Sequence, residues 1–393
     1  MRIITFGKIN KKFFIPVIGG LVGMTYRFIM TLNPKFITAS KNPFIISIYK
    51  VIGMIFDFIP YLIIKYRSKK INSNINEYKS KLNTLESVHN NVFKKTRTKK
   101  YGLILVSTIF DVLQTLSILI FCTKSVYNLW MFDILFISLF SYWILKTKFF
   151  KHQYLSIIII IILGLVLNIL TYFKSDTNNK IDPVAILMKF LSEIFLSLTM
   201  VISKYNMQKN YCSPYEICIW EGLIELILYI IFLLIINKLE LTIADVKYPD
   251  NFWELINNYD IYDFLLCLLV VIVNAIYYLC LFLTCNYFTP CHILVVLIIH
   301  EFYFYLKINE NWEYNIFGFL TLLLILFMFL IFIEIIEINI FNISYNTKKN
   351  IELRSRNESS IDNNNLIHIR EEIEMEDRKI LVSFDSIDEE CKF

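Results

Sequence analysis

Two pairs of ionisable residues stand four apart inside apolar stretches of this sequence: Lys189 with Glu193, and Glu221 with Glu225. On a helix that spacing makes each pair neighbours on one face. Lys189 and Glu193 neutralise one another, whereas Glu221 and Glu225 repel unless a proton or a cation sits between them. Other ionisable groups interrupt apolar runs: Arg27, Lys50, Asp57, Asp111 with nearby Gln114, Asp133, and His300 with Glu301. A charge at mid-bilayer costs about 2.5–3.5 kcal/mol on insertion scales, so such residues turn toward a partner or a wet cavity. Interhelical ion pairing is one role open to them, and lining a solvated pathway is the other. Glu221, near the end of its run, is also placed for hydration at the interface. Carboxylates could take up a proton or hold a cationic solute, and Arg27 could balance an anion.

Hydrolytic and group-transfer chemistry finds no support. His300-Glu301 lacks the second histidine of HExxH. Gly-rich phosphate loops, nucleophile elbows and metal-ligand clusters are absent from the sequence. We expect no catalytic residues, no metal and no cofactor, hence no enzyme.

The elements that must position these groups follow from composition. Of 393 residues, 56% are hydrophobic without counting glycine, and 19% are charged. Mean hydropathy is +0.55, too apolar for an average soluble chain. A bilayer core of about 30 Å needs about 20 helical residues. Apolar runs of that order fall at 13–32, 43–66, 101–122, 126–146, 153–173, 185–204, 216–237, 261–286, 289–306 and 314–340. The first follows basic residues (Arg2, Lys8, Lys11, Lys12) like a signal peptide, but it is too long and lacks a small-residue cleavage site. Pro60 is expected to kink the second helix. Thr123-Lys124-Ser125 forces the third and fourth into a hairpin. The eight cysteines form no CxxC, and most lie within apolar runs, where they serve as small packing residues.

Charge asymmetry orients the chain. With a cytoplasmic N-terminus, about 24 Lys and Arg fall on the inside and about 8 on the outside. The net charge of +5 is thereby explained without nucleic acid. Both termini inside requires an even helix count, which ten satisfies. The expected organisation is a cytoplasmic N-terminus (1–12), a first five-helix unit (13–173) with a cytoplasmic loop at 67–100, a connector (174–184), a second unit (185–340) and a disordered cytoplasmic tail (341–393). The Lys- and Asn-rich loop reads as solvated, or as attracted to anionic lipid headgroups. In the tail, Asp362 with Leu366 and Ile367 fits an acidic dileucine pattern, a receptor-read address. That points to an endosomal, lysosomal or vacuolar membrane, with Golgi as the other choice. The sequons at Asn342 and Asn357 would face the cytosol and stay unglycosylated.

A unit of five helices duplicated in tandem must point the opposite way. A shift of 163 positions sets Asp111 on Asn274 and Gln114 on Tyr277. The fold class expected is therefore all-α integral membrane, ten transmembrane helices as a 5+5 inverted repeat, an architecture that places substrate sites where the halves meet. Candidate cavity residues are Arg27, Asp57, Asp111, Gln114, Asp133, Lys189, Glu193, Glu221, Asn274, Tyr277 and Glu301.

Four patches carry a family resemblance: GGLVGMTYR in helix one, NPF followed by IGMIFDF in helix two, FDVLQTL in helix three, and KYNMQKNYCSPYEICIWEG around Ser213-Pro214 and Glu221-Gly222. Over roughly 13–340 the chain resembles the drug/metabolite transporter superfamily, specifically the F-type, EamA-like branch of solute carrier family 35. It departs where Ser203-Lys204 replaces an acidic pair, where Arg27 replaces a lysine, and in having only nine glycines. The resemblance implies a central cavity formed by helices one to four and six to nine, with five and ten peripheral. The last helices serve as a dimer interface in related nucleotide-sugar transporters, so a homodimer is one arrangement it implies. The expected function is secondary transport of a small polar metabolite by alternating access. The rival expectation is a non-transporting scaffold that recruits cytosolic partners through its loop and tail. Expected partners are membrane lipid and a small-molecule solute.

Overall fold

The computed structural model describes residues 4–6, 11–32, 43–75, 86–121, 129–174, 183–239, 242–243, 246–247, 260–306 and 312–338. The tail, with Asp362, Leu366 and Ile367, and the expected 123–125 hairpin turn lie outside these. Eleven α-helices run through the described residues: α1 (Phe14–Leu32), α2 (Pro43–Phe56), α3 (Phe58–Ile75), α4 (Glu86–Phe121), α5 (Phe132–Ile144), α6 (Lys151–Lys174), α7 (Pro183–Asn210), α8 (Pro214–Leu239), α9 (Ile261–Tyr287), α10 (Ile293–Leu306) and α11 (Trp312–Phe332). A helix covers the larger part of each of the ten apolar runs. Six helical stretches among the described residues are long and apolar enough to cross a membrane, which fits a multi-pass membrane protein.

Local chemistry explains where helices begin and break. Pro43, Pro183 and Pro214 each open a helix, where the missing N–H costs nothing. Asp260 caps α9: its side chain accepts from the Asp263 N–H at 2.8 Å, and Asp263 accepts from the Asp260 N–H at 3.1 Å. This is a reciprocal capping box. The apolar run 43–66 is broken at Asp57 into α2 and α3. Pro60 cannot donate to the carbonyl of Phe56, so the break falls just before it, as expected. The last helix is shorter than the run 314–340. It ends at Phe332 in a Schellman arrangement, with Ile335 N–H donating to the Leu330 carbonyl at 3.0 Å and Glu334 left-handed at φ 61°.

The described residues of the segment expected as a loop at 67–100 are helical. α3 continues to Ile75, and α4 starts at Glu86, fifteen residues before the apolar run. At 1.5 Å per residue the 36-residue α4 is about 54 Å long, well beyond the hydrocarbon core. Its charged N-terminal part is a helical extension out of the apolar layer.

Among the described residues two 3-10 turns (Lys11–Phe13 and Pro290–His292) and two short ladders accompany the helices. β1 (Ile4–Phe6) pairs antiparallel with β4 (Ile336–Ile338), in the register Ile4 to Ile338, Thr5 to Glu337 and Phe6 to Ile336. β2 (Thr242–Ile243) pairs with β3 (Val246–Lys247). The first ladder brings the segment before α1 beside the segment after α11.

Helices pair across the chain. α1 packs on α9 and α10, α2 on α8 and α9, α4 on α7 and α8, α5 on α6 and α7, α6 on α11, and α10 on α11. The exterior is apolar and the interior carries the polar groups. Ile158, Ile162 and Ile169 of α6, Ile227 and Leu234 of α8, and Phe317 and Leu320 of α11 are exposed, while Asp133, Ser156, Ser192, Glu221, Glu225 and Thr284 are buried. Water would reverse that arrangement, and lipid favours it. The six described cysteines with side chains in view are free thiols, five of them buried, as packing residues should be.

Close helix contact rests on few glycines. A Cβ at Gly53 would lie 2.9 Å from both the Ala275 nitrogen and the Val271 oxygen, backbone atoms of α9 that cannot rotate aside. Gly102 has nothing within 4 Å. We predict that Gly53→Val destabilises the α2–α9 contact by about 1–3 kcal/mol, and that Gly102→Ala is neutral or stabilising by up to about 1 kcal/mol. Thermal unfolding of the purified variants in detergent tests both.

Candidate functional site

The site grows from one face of α8. Glu216 stands in its first turn, and Glu225 lies nine residues further, about 13.5 Å along the axis. Glu221 and Glu225 point the same way, and three other helices meet them. From α2, the Lys50 ammonium donates to Glu225 Oε1 at 2.9 Å and to Asp111 Oδ2 of α4. It also lies 5.3 Å from the centre of the Tyr278 ring on α9. Tyr229, one turn beyond, donates to Glu225 at 2.9 Å. Glu221 Oε1 accepts from Ser107 of α4 at 2.5 Å and from Ser203 of α7 at 3.2 Å. Its other oxygen and that of Glu225 are buried with no hydrogen-bond partner.

Charge does not balance here. One ammonium faces three carboxylates, all at most 7% exposed. An uncompensated charge in such an interior is costly, so the surplus negative charge must be met by protons or by a bound cation. Among the described residues no group of three His, Cys, Asp or Glu has metal-binding geometry. Asp57, 3% exposed, stands beside Cys218 of α8 at the break between α2 and α3.

A second cluster joins α5, α7 and α10. Asp133, in the first turn of α5 and fully buried, lies against Glu193 of α7, with Lys189 alongside. Lys189 and Glu193 are paired at 2.5 Å, and Glu301 of α10 is within electrostatic reach of Lys189. Next to it, Arg27 Nε of α1 donates to His300 Nε2 at 3.0 Å. The Tyr277 ring lies 5.9 Å from that imidazole and meets Tyr278 edge-on at 5.3 Å. The tyrosine pair of α9 thus connects the two clusters.

A scan against protein-family models finds no match, and neither does a search of curated proteins. The site is therefore read from its own geometry.

Of the residues expected at the site, Asp111 and Glu221 meet in the first cluster. Asp133, Lys189, Glu193 and Glu301 meet in the second, with Arg27 and Tyr277 joined to it through His300. Asn274 is buried on α9 but faces Gly53 and Tyr26, outside both. Gln114 is half-buried and takes part in none of the contacts above. Lys50 and Glu225, intramembrane charges outside the expected cavity residues, are the hub of the first cluster. The signal was available: a like-charged pair one turn apart calls for a proton or a cation, and Lys50 is the only lysine deep within the early apolar runs. Ser203-Lys204, where the resemblance implies acids, supplies a hydroxyl to Glu221 and an ammonium to the Asn286 carbonyl at 2.9 Å.

Lys50→Met strands three carboxylates and is expected to cost about 3–5 kcal/mol. Adding Asp111→Asn removes one of the stranded charges and should restore part of that loss. Denaturation of the single and double variants measures it; equal instability of the two would deny that Lys50 and Asp111 act as a pair.

Proposed function

We propose that the chain is a secondary transporter of a small polar solute, built as ten transmembrane helices in two inverted halves and working by alternating access. The observation that carries this reading is the burial of two charged clusters between helices from both parts of the chain, inside a molecule with an apolar exterior. Structural groups that merely hold helices together do not require a surplus of one sign. Among the intramembrane groups named above, seven carboxylates (Asp57, Asp111, Asp133, Glu193, Glu221, Glu225, Glu301) face four cations (Arg27, Lys50, Lys189, Lys204). That surplus favours a cationic solute or a coupling proton over the anionic nucleotide sugars that the family resemblance brings to mind.

The inverted repeat has support in the pairing of helices. Matching α1, α2, α4, α5 and α6 to α7, α8, α9, α10 and α11 carries α1 on α9 and α10 onto α7 on α4 and α5. It carries α2 on α9 onto α8 on α4, and α10 on α11 onto α5 on α6, while α2–α8 and α6–α11 map onto themselves. The charges follow the same rule. Arg27 at the α1–α10 contact corresponds to Lys189 at the α7–α5 contact. The β1–β4 ladder agrees with an even number of crossings. Both ends are proposed to face the cytosol, in an endomembrane addressed through Asp362, Leu366 and Ile367.

The test is uptake into liposomes by the reconstituted protein, with panels of cationic metabolites and nucleotide sugars, with and without an imposed pH gradient. Accumulation of a cationic or neutral polar solute is expected, at least tenfold reduced by Asp111→Asn in a variant that keeps its thermal stability. Absence of uptake for every solute, together with capture of cytosolic proteins by the loop and tail, would instead support the scaffold.

A further inference from the structure

Beside the break at Asp57, α2, α3, α4 and α8 enclose a cleft of about 690 Å³, within the range of roughly 300–1,000 Å³ that small-molecule sites occupy. Its walls are Ile55, Phe56, Phe58, Tyr61, Trp220 and Leu223. Phe56, Phe58 and Trp220 are 42%, 46% and 39% exposed, so the cleft opens sideways, through the apolar exterior. It lies on the side of α8 away from the charged clusters: Trp220 and Leu223 project opposite to Glu221 and Glu225.

One end of the cleft is polar. Lys65 lines it, with its ammonium 5.4 Å from the centre of the Tyr61 ring. Glu216 lines it as well, its carboxylate paired with Lys100 of α4 at 2.5 Å, and so does Tyr101, which meets Trp220 edge-on at 5.3 Å. Beyond that end the two helices run out of the apolar layer, and their sequence is strongly basic. Over 65–75 of α3 and 86–100 of α4 there are nine Lys and Arg against Glu86 alone. A cleft that is apolar and aromatic along its length, open toward the acyl chains, with a cation at its mouth and a basic surround, has the layout of a phospholipid. Juxtamembrane clusters of Lys and Arg draw anionic headgroups to one leaflet, and aromatic side chains such as Trp220 settle at the headgroup boundary.

We propose that this cleft binds an anionic glycerophospholipid of the surrounding bilayer, with an acyl chain along Phe58 and Trp220 and the phosphate at Lys65. The bound chain wedges between α3 and α8, so it bears directly on the helix that carries Glu221 and Glu225. The site is independent of what, if anything, the protein transports.

Full-length protein with Trp220 as its sole tryptophan, the other four replaced by Phe, is placed in nanodiscs of phosphatidylcholine. Phosphatidylserine or further phosphatidylcholine with brominated acyl chains is then titrated in, and quenching of Trp220 is read. The expected result is saturable quenching at least fivefold more sensitive to the serine lipid, a preference kept by Lys65→Arg, lost in Lys65→Gln, and unchanged in Asp111→Asn. Because Lys65 is exposed, the Gln variant should keep its helical circular dichroism and melting temperature, and both are checked. Equal quenching by the two lipids overturns the proposal. So does a serine-lipid preference that survives Lys65→Gln, since the basic extensions would then act without the cleft. Non-saturable quenching, meaning bulk lipid contact alone, overturns it as well.

Discussion

The contact between the Lys50 ammonium and the carboxylates of Asp111 and Glu225 is the interaction on which the rest of the molecule depends. It joins α2, α4 and α8 at a depth where water is excluded. Each group would be prohibitive there alone. Their mutual attraction makes burial tolerable, and it fixes the three helices in one register, because an ammonium reaches both carboxylates from only a narrow range of positions. Gly53, one turn from Lys50, then lets α2 lie against the α9 backbone, which delivers the Tyr277–Tyr278 pair to the space between the clusters.

The molecule inverts the pattern of a water-soluble fold. Apolar side chains cover its outside, and serines, threonines and carboxylates fill its inside. Interhelical contacts such as Ser107 to Glu221, or the Thr199 hydroxyl to the Ser107 carbonyl at 3.3 Å, are therefore the adhesive elements. In lipid, burying apolar surface between helices gains little, whereas satisfying a polar group gains more. α6 and α11 carry neither cluster and pack against each other on the periphery.

Much of this was legible in the sequence because one constraint dominates. A helix must satisfy its own backbone in lipid, so runs of about 20 apolar residues read directly as helices, and a helix covers most of every such run. Pro60 announced the break at Asp57 for the same reason. Less was legible wherever the outcome depends on partners distant in sequence. Lys50 and Glu225 are 175 positions apart, and nothing local to either names the other. Asn274, set on Asp111 by the 163-position shift, finds a neutral neighbour in Tyr26 instead of an ion. The helix over 86–100 was not legible because a charged helix outside an apolar run has no apolar face to betray its period. Glu334, unlike a glycine, gives little warning that it will adopt the left-handed turn that stops α11.

The small ladder between β1 and β4 constrains how such a molecule could move. It fastens the strand leading into the earliest helix to the strand leaving the latest one, through three residue pairs. If two halves rock against each other, these extremities cannot separate freely. They must serve as the axle of the motion or come unzipped at each cycle, so the largest excursions belong at the opposite rim, far from this clasp.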